Sequence, residues 1–438
     1  MINKWLFKHI DNSALILFRI FFGVLITLEA WGAIFTGWIT RTLLEPQQTF
    51  NFIGFDFLQP LPGNGMYFYY FLMGIFGVLV TIGYKYRWSL SAYTIMWTCV
   101  YLMQKSSYNN HYYLLVLICI FMLLVPANAY FSIDAKQNDR IRSLSTPRWV
   151  HLFIILQLLI VYTYASCAKL YPDWLDGSVP ELLMKSKKDY WLIGDILQEK
   201  WTHVTITYFG ILFDLLVVPL LLWKRTRTPV FIFAIFFHLF NSIVFQIGIF
   251  PYLSLAFCLF FFPTQIIHKR FKLKKEYYDQ GEVKVPSKSG LMKAFFITWF
   301  VVQISLPLRH WFIKGDVLLT EEGHRLSWRM MLRSKSGIST FKVVDKNTGK
   351  TTIIKKGDYL SKKQLRTVST KPDVIWQFSR RLKQEYAAKG QDVAVYVDAK
   401  VSINRGPYVS LIDSSVDMAS AEWDYFFHNE WILLPEER

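Results

Sequence analysis

The sequence predicts a membrane α-helical bundle of about nine spans, followed by a small α+β extracytoplasmic domain. Three observations predict it. Hydrophobic residues make up 53% of the 438, while charged residues reach only 18%, below the roughly 25% of a soluble domain. The apolar residues gather in long runs. Beyond residue 308 those runs stop and period-two alternation begins. The same composition excludes a disordered chain. A net charge of +17 and a pI near 9.5 ordinarily raise nucleic acid as a partner. Beside 16 Trp, 24 Tyr and 37 Phe, the basic residues read instead as flanks of membrane spans. The lipid bilayer is therefore the expected partner, and nucleic acid is not. Cys99, Cys119, Cys167 and Cys258 contain no CxxC pair, so neither a zinc site nor a disulfide framework is expected, and no metal is assigned.

The candidate spans are 13–35, 66–83, 90–104, 112–126, 149–166, 205–223, 229–247, 249–262 and 291–308. Several fall short of the ~20 residues of a full crossing, so one or two read as re-entrant. Arg19 and Glu29 interrupt the first run, and no A-x-A-like site follows it, so a retained N-terminus is expected rather than a cleaved signal. Basic residues mark one side. Lys4 and Lys8 precede the first span, and Lys85 and Arg87 follow the second. Lys136, Arg140, Arg142 and Arg148 follow the fourth, Lys224, Arg225 and Arg227 the sixth, and the basic cluster 268–275 the eighth. With nine crossings this puts the N-terminus in the cytoplasm and residues 309–438 outside. Two domains are expected: 1–308 in the membrane and 309–438 beyond it.

In the tail, Thr340–Asp345 and Val393–Val401 alternate as strands do, and Lys346-Asn-Thr-Gly349 is a turn signal. An amphipathic helix is expected near Val374–Lys389.

No phosphate loop, dinucleotide fingerprint, HExxH or GxSxG occurs. The chemical signal lies in polar residues where a membrane makes them costly. Asn109-Asn110-His111 opens the fourth span, where an Asn could equally be a helix cap. Lys169 follows the fifth span, where a lysine could equally snorkel to the interface. His238 and Asn241 share a face inside the seventh, where they could simply bond neighbouring helices. All but His238 lie at the outer end, the end that carries the soluble domain. An amine, two imidazoles and several amides thus converge at headgroup depth. That suits an enzyme joining a lipidic cofactor to a water-soluble substrate.

Together these segments resemble the vitamin K-dependent gamma-glutamyl carboxylase family, whose membrane part is the HTTM domain. The matching pieces run in family order: Asn109-Asn110-His111, Lys169–Gly177 (KLYPDWLDG), Phe237-His238 with Asn241-Ser242, Ile247–Phe250, Leu306-Pro307 with His310, Ser327-Trp328 with Met330-Met331, and Val401–Asn404. The resemblance implies a membrane carboxylase. It would use reduced vitamin K or a menaquinol-type naphthoquinone, with O2 and CO2, to carboxylate the γ-carbon of glutamate in a protein or peptide, and would leave the quinone as its epoxide. It also implies that Lys169 is the base for the quinol, favoured by desolvation, and that His111 serves the reacting centre. Asn110, His238, Asn241, Phe250, Met330 and Met331 would form the quinone pocket, where flat rings and thioethers suit the ligand. Asn109, Trp328, Arg333, Lys335 and Arg405 would serve the substrate, arginine binding its carboxylate bidentately.

There are departures from the family pattern. Gly323-His324-Arg325-Leu326 stands where the family is tyrosine-rich, Arg329 replaces an aspartate, and Pro251 replaces a small polar residue. Relative to vertebrate members the chain is short. That suits a prokaryotic homologue in a bacterial inner membrane; a eukaryotic one would sit in the endoplasmic reticulum. Two other readings remain: a quinol epoxidase uncoupled from Glu carboxylation, and a lipid-binding transporter. A transporter should show paired broken helices in two halves of the chain, and no such symmetry is visible.

Overall fold

The fold is taken from a computed structural model, which describes residues 2–435. The bundle consists of α1 (Ser13–Phe35), α2 (Gly65–Ile82), α3 (Tyr86–Met103), α4 (Asn110–Leu124), α5 (Trp149–Cys167), α6 (Lys200–Leu222), α7 (Arg227–Phe240), α8 (Phe250–Phe257), α9 (Thr264–Arg270) and α10 (Ser289–Leu308). Every predicted apolar run forms helix, yet nine full crossings are not supported. Among the described residues, six helices are long and apolar enough to cross a bilayer: Ser13–Phe35, Gly65–Ile82, Trp149–Cys167, Lys200–Leu222, Arg227–Phe245 and Ser289–Trp311. A seventh is added if Phe250–Phe260 and Thr264–Arg270, bent by 116°, count as one.

Each shortfall has a local cause. α4 has 15 residues, about 22 Å against a hydrocarbon core of about 30 Å. α3 is long enough, but Ser89, Ser91, Thr94 and Thr98 dilute its apolar character. After α8 the chain reaches Pro263, which cannot continue a helical ladder. Where α1 meets α2 the backbones approach closely. A Cβ at Gly23 would collide with Thr81, and one at Gly77 with Thr27, so the contact requires glycine.

The loops sort to two ends. At one end β1 (His9–Asp11) pairs antiparallel with β2 (Ser145–Pro147). Asp134 accepts the Lys85 and Tyr86 amides at 2.7 and 2.9 Å. Buried Arg19 donates to the carbonyls of Ala127 and Tyr130. Asp11 and Lys275, both wholly buried, pair at 2.6 Å. The basic loops named above gather at this end. The opposite end carries the outer domain.

That domain is an antiparallel sheet in the order β4 (Thr351–Ile353), β3 (Lys335–Asp345), β5 (Val393–Ile403), β6 (Val409–Ser410). The predicted alternation is realised in the long β3–β5 ladder, with Phe341 opposite Val397 and Val343 opposite Val395. The predicted turn links β3 to β4, with Gly349 in the left-handed region. Helix α11 (Lys362–Val368) starts with a capping box from Ser361 and Gln364. Helix α12 (Pro372–Ala387) lays Val374, Ile375, Phe378 and Leu382 against Phe341, Val343 and the inward residues of β5. Its proline at the first turn needs no N–H partner.

Charge joins the two units. Lys105, at the outer end of α3, meets Asp373 of α12 at 2.5 Å, and Arg325 meets the same carboxylate at 2.8 Å. Amides add to the join: Gln364 donates to Gln48 and Gln377 to Asn51. Burial alone would raise the Asp373 carboxyl, but Arg325 and Lys105 outweigh it and hold it well below the usual carboxylate range. A depressed folded pKa stabilises the fold above the unfolded value of about 3.9 and loses that contribution as pH falls through the folded value. Asp373→Ala should therefore cost about 3–5 kcal/mol at neutral pH by leaving buried cations unpaired. Thermal or denaturant unfolding of the detergent-solubilised chain measures this. The gap from wild type should hold between about pH 8 and pH 5 and narrow only below about pH 4. Equal stability at pH 7 would show that charge does not hold the seam.

Candidate functional site

Two cavities meet beneath the outer domain, where helix ends and connecting loops leave the bundle open. The first, about 370 Å³, lies among α5, α6, α7 and α8. Phe209, Phe233, Phe236, Phe237, Phe240 and Phe250 give it apolar walls, and Lys169, Asp214, His238, Asn241 and His111 supply the polar groups. Lys169 follows α5 and turns its amine back onto the helix end. Nζ donates to the Ala165 carbonyl at 3.1 Å, one of the acceptors that a helix C-terminus leaves open. The same Nζ meets Asp214 of α6 at 2.5 Å and stands 5.8 Å from the centre of the Trp174 ring. His238 is buried; Nε2 faces the Tyr162 hydroxyl at 3.3 Å, and Nδ1 has no partner among the described residues.

The second cavity, about 720 Å³, is the more polar of the two. Glu29 of α1, Asn109, Asn110, His111, Gln246, His324, Arg329 and Lys371 are among its lining residues. Both volumes suit small-ligand sites. His111, Ile247, Met330 and Met331 line both cavities and so form the wall between them. In that wall the His111 ring stacks on Phe250, centroids 3.9 Å apart and planes 20° apart. The turn that delivers Phe250 passes through Gln246 and Gly248 in the left-handed region, at φ +53° and +65°.

The outer half of the wall comes from a tightly constrained segment. Leu326, Trp328 and Met331 all adopt positive φ, 62°, 56° and 52°. For residues that are not glycine this is strain of order 1–3 kcal/mol each, tolerated only where surroundings enforce it. Here the enforcement is visible. The Tyr108 hydroxyl accepts the Leu326 amide at 2.7 Å and donates to Asn110 Oδ1 at 2.7 Å, while Asn110 Nδ2 donates to the Arg329 carbonyl at 2.9 Å. Motifs far apart in sequence thus touch. Asn404 likewise donates to Asp173 at 2.8 Å, tying β5's end to the segment after Lys169.

Nine of the residues given a role from sequence reach these cavities: Asn109, Asn110, His111, Lys169, His238, Asn241, Phe250, Met330 and Met331. Asn109 also caps α4, its Oδ1 accepting the Tyr112 amide at 2.8 Å. The others lie apart. Trp328 is 1% exposed and stacks on Tyr113 below the cavities, centroids 5.0 Å apart. Arg333 and Lys335 both engage Glu321, and Lys335 also donates to the Leu319 carbonyl at 2.5 Å. Arg405 lies exposed, 3.7 Å from Glu181.

Sequence reading missed Asp214, Arg329, Lys371 and Glu29 as site residues. Asp214 had a signal, being an acid inside an apolar run. Lys371 had none; it is simply the residue before Pro372. Around the polar cavity, Lys105, Arg309, Arg325, Arg329, Arg333, Lys335 and Lys371 are partly or fully buried, and the buried acids facing them are Glu321 and Asp373. Glu322 is engaged by His428 at 2.7 Å and by Asn429. Burial would raise the Glu321 carboxyl, but Arg333 and Lys335 hold it well below its usual range. Burial, with Arg333 adding to it, drives His324 well below its ordinary value, leaving the ring neutral.

Residues 7–265 match the HTTM domain, and residues 288–438 match the lumenal domain of vitamin K-dependent gamma-carboxylase. The first match alone covers more than half of the chain. No solved structure matches.

The Lys169–Asp214 pair makes a stability prediction of its own. Asp214→Leu should cost about 3–5 kcal/mol by stranding a buried amine, whereas Lys169→Met with Asp214→Leu should return to within about 1–2 kcal/mol of wild type. A double-mutant cycle on thermal unfolding in detergent reads the coupling. Simple additivity of the two changes would show that the pair is not coupled.

Proposed function

The chain belongs to the vitamin K-dependent gamma-carboxylase family, and on that premise we propose that it couples oxygenation of a reduced naphthoquinone to CO2 addition at the γ-carbon of glutamate residues in a protein or peptide. The observation that carries this reading is the shared wall. One cavity is apolar and aromatic, the other is more polar and carries Arg329 and Lys371, and His111, Met330 and Met331 face both. A lipid-soluble ring and a hydrophilic acidic side chain would each find the surroundings their chemistry needs, with one partition between them.

The residues fit a reduced naphthoquinone. The apolar cavity offers flat phenylalanine faces, thioethers and one buried imidazole nitrogen, His238 Nδ1, free to bond an oxygen substituent. His238, Asn241, Phe250, Met330 and Met331 would hold the ring, with Asn110 fixing the wall from behind. Bound there, the reduced quinone with O2 supplies a base strong enough to remove a carbon-bound proton, and ends as the epoxide.

The chain's own part is to manage protons and position. Lys169 Nζ would accept the hydroxyl proton. It can do so only when neutral, and Asp214, 2.5 Å away, can hold the proton that the amine gives up. The Asp214 carboxylate gives that proton a definite destination. His111 would orient groups at the wall through its stack on Phe250, and Asn109 lines the substrate side. Arg333 and Lys335 could bind a substrate carboxylate only while also holding Glu321, and Arg405 lies on the exposed surface beside Glu181, outside both cavities.

The same reading proposes residues 1–308 as the membrane domain and 309–438 as the extracytoplasmic one. The N-terminus and basic loops would lie in the cytoplasm, in a bacterial inner membrane. Its support is that basic loops and outer domain occupy opposite ends of the bundle, with short basic loops favouring the cytoplasm.

The test is to incubate purified protein with reduced vitamin K, labelled bicarbonate and a Glu peptide, measuring epoxide and fixed carbon separately. Lys169→Ala should lower both by about 10²-fold or more, and an added small amine should restore part of each. Phe250→Ala should raise the quinol requirement more than the peptide requirement. Epoxide without fixed carbon in wild type would favour the uncoupled epoxidase. Near wild-type epoxide from a folded Lys169→Ala protein would overturn the assignment of the base.

A further inference from the structure

We propose that Arg329 and Lys371 form an anion-binding site for carboxylate in the polar cavity, receiving the side chain of the acidic substrate and then the geminal dicarboxylate it becomes. The assignment rests on the reading of the cavity as the substrate side, and it names the residues that do the recognising.

Cations outnumber acids around this cavity, and the acids already have partners. Arg333 and Lys335 hold Glu321, while Arg325 and Lys105 hold Asp373. Arg309, Arg329 and Lys371 are left over; Arg309 donates to the Arg325 carbonyl at 2.7 Å, whereas Arg329 and Lys371 line the cavity. The one side-chain contact of Arg329 among the described residues is Nη1 to His310 Nε2 at 3.2 Å, and its Nε is buried without an acceptor. Among the described residues the Lys371 side chain makes no ion pair or hydrogen bond; the carboxylates that act on it from a distance, Glu321 and Asp373, are those already held by other cations. His324 adds a buried Nδ1 with no partner among the described residues. Burying cations without counter-charge is unfavourable, and removing a partner from such groups typically costs several kcal/mol. Three donor-bearing side chains lining one cavity therefore lack an anion.

The geometry selects the kind of anion. A guanidinium presents parallel N–H groups that match the two oxygens of a carboxylate, and an ammonium lining the same cavity adds a second point of charge. One carboxylate satisfies the arginine; a second gives the lysine of the same cavity an anion. The cavity's own acid, Glu29, comes from the membrane side and lies against Tyr112 and the Ile249 backbone, so it does not neutralise the pair. Met330 and Met331 carry the wall on the same segment as Arg329. A carboxylate bound to that arginine therefore holds its neighbouring carbons near the partition, not at the outer surface.

The probe is malonate, with dimethyl malonate as the uncharged control and bicarbonate as the competing small anion. In the detergent-solubilised full chain, malonate should raise the unfolding temperature, and dimethyl malonate should not. Arg329→Gln and Lys371→Gln should each weaken that protection about tenfold in malonate concentration, the scale of one charge-assisted hydrogen bond. Arg329→Lys, which keeps the charge and loses the fork, should retain part of it. In turnover, both Gln variants should raise the peptide KM about tenfold or more and leave the quinol KM within about twofold. Malonate should compete with peptide and not with quinol. Protection of the double variant equal to wild type would overturn the site, as would protection by bicarbonate at equal concentration to malonate or an unchanged peptide KM. A wild type that binds malonate through these residues but fixes no carbon keeps the site and removes the reaction.

Discussion

The carboxylate of Asp373 is the contact on which the rest of the molecule hangs. It is buried, and it is held by one cation from the bundle, Lys105, and one from the outer segment, Arg325. A charge that has left water must find partners, so the outer domain can dock in one orientation far more favourably than in any other. That orientation sets where the segment from Glu321 to Leu332 runs. Because this segment supplies Met330 and Met331, the partition between the cavities exists only in the docked state. The strained φ values at Leu326, Trp328 and Met331 have the same origin. The chain between two fixed bodies has little slack, and Tyr108 and Asn110 complete the clamp from below.

Polarity is divided across this partition in a way that follows from where each wall originates. Helices that face lipid can line a cavity with phenylalanine at no cost, because those faces are already apolar. Strand and loop residues of the outer domain bring arginine and lysine, which the bundle alone could not carry at that depth. The exceptions inside the bundle are the costly ones. Lys169 and Asp214 neutralise each other, and His238 leans on Tyr162. Polar groups in hydrocarbon are retained where a partner or a task holds them.

Much of the fold was legible because hydropathy and period report directly on burial. The apolar runs became helices near their predicted limits, and the alternation at Thr340–Asp345 and Val393–Val401 became neighbouring strands. What failed was the step from helix to crossing. Length alone shortened α4, four hydroxyls weakened α3, and Pro263 turned α9 away, effects that an apolar window averages out. At the site, single residues of unusual chemistry such as Lys169 and His111 stood out from their surroundings. Pairings did not. Nothing local to Lys169 points to Asp214, some forty-five positions on, and nothing near Arg333 announces Glu321 as its partner. Lys371 drew no notice because in sequence it is an ordinary lysine before a helix.

The apolar cavity is walled in part by Phe209, Phe233 and Phe236, whose other edges lie exposed on the bundle surface. A molecule entering past them comes sideways from a sheet of lipid, a reservoir in two dimensions whose density is counted per unit area. A molecule entering the polar cavity comes from a volume of water. The two supplies respond to different things: the first to lipid composition and to how much membrane each protein has to itself, the second to dilution. Diluting a vesicle suspension would starve one cavity and leave the other as full as before.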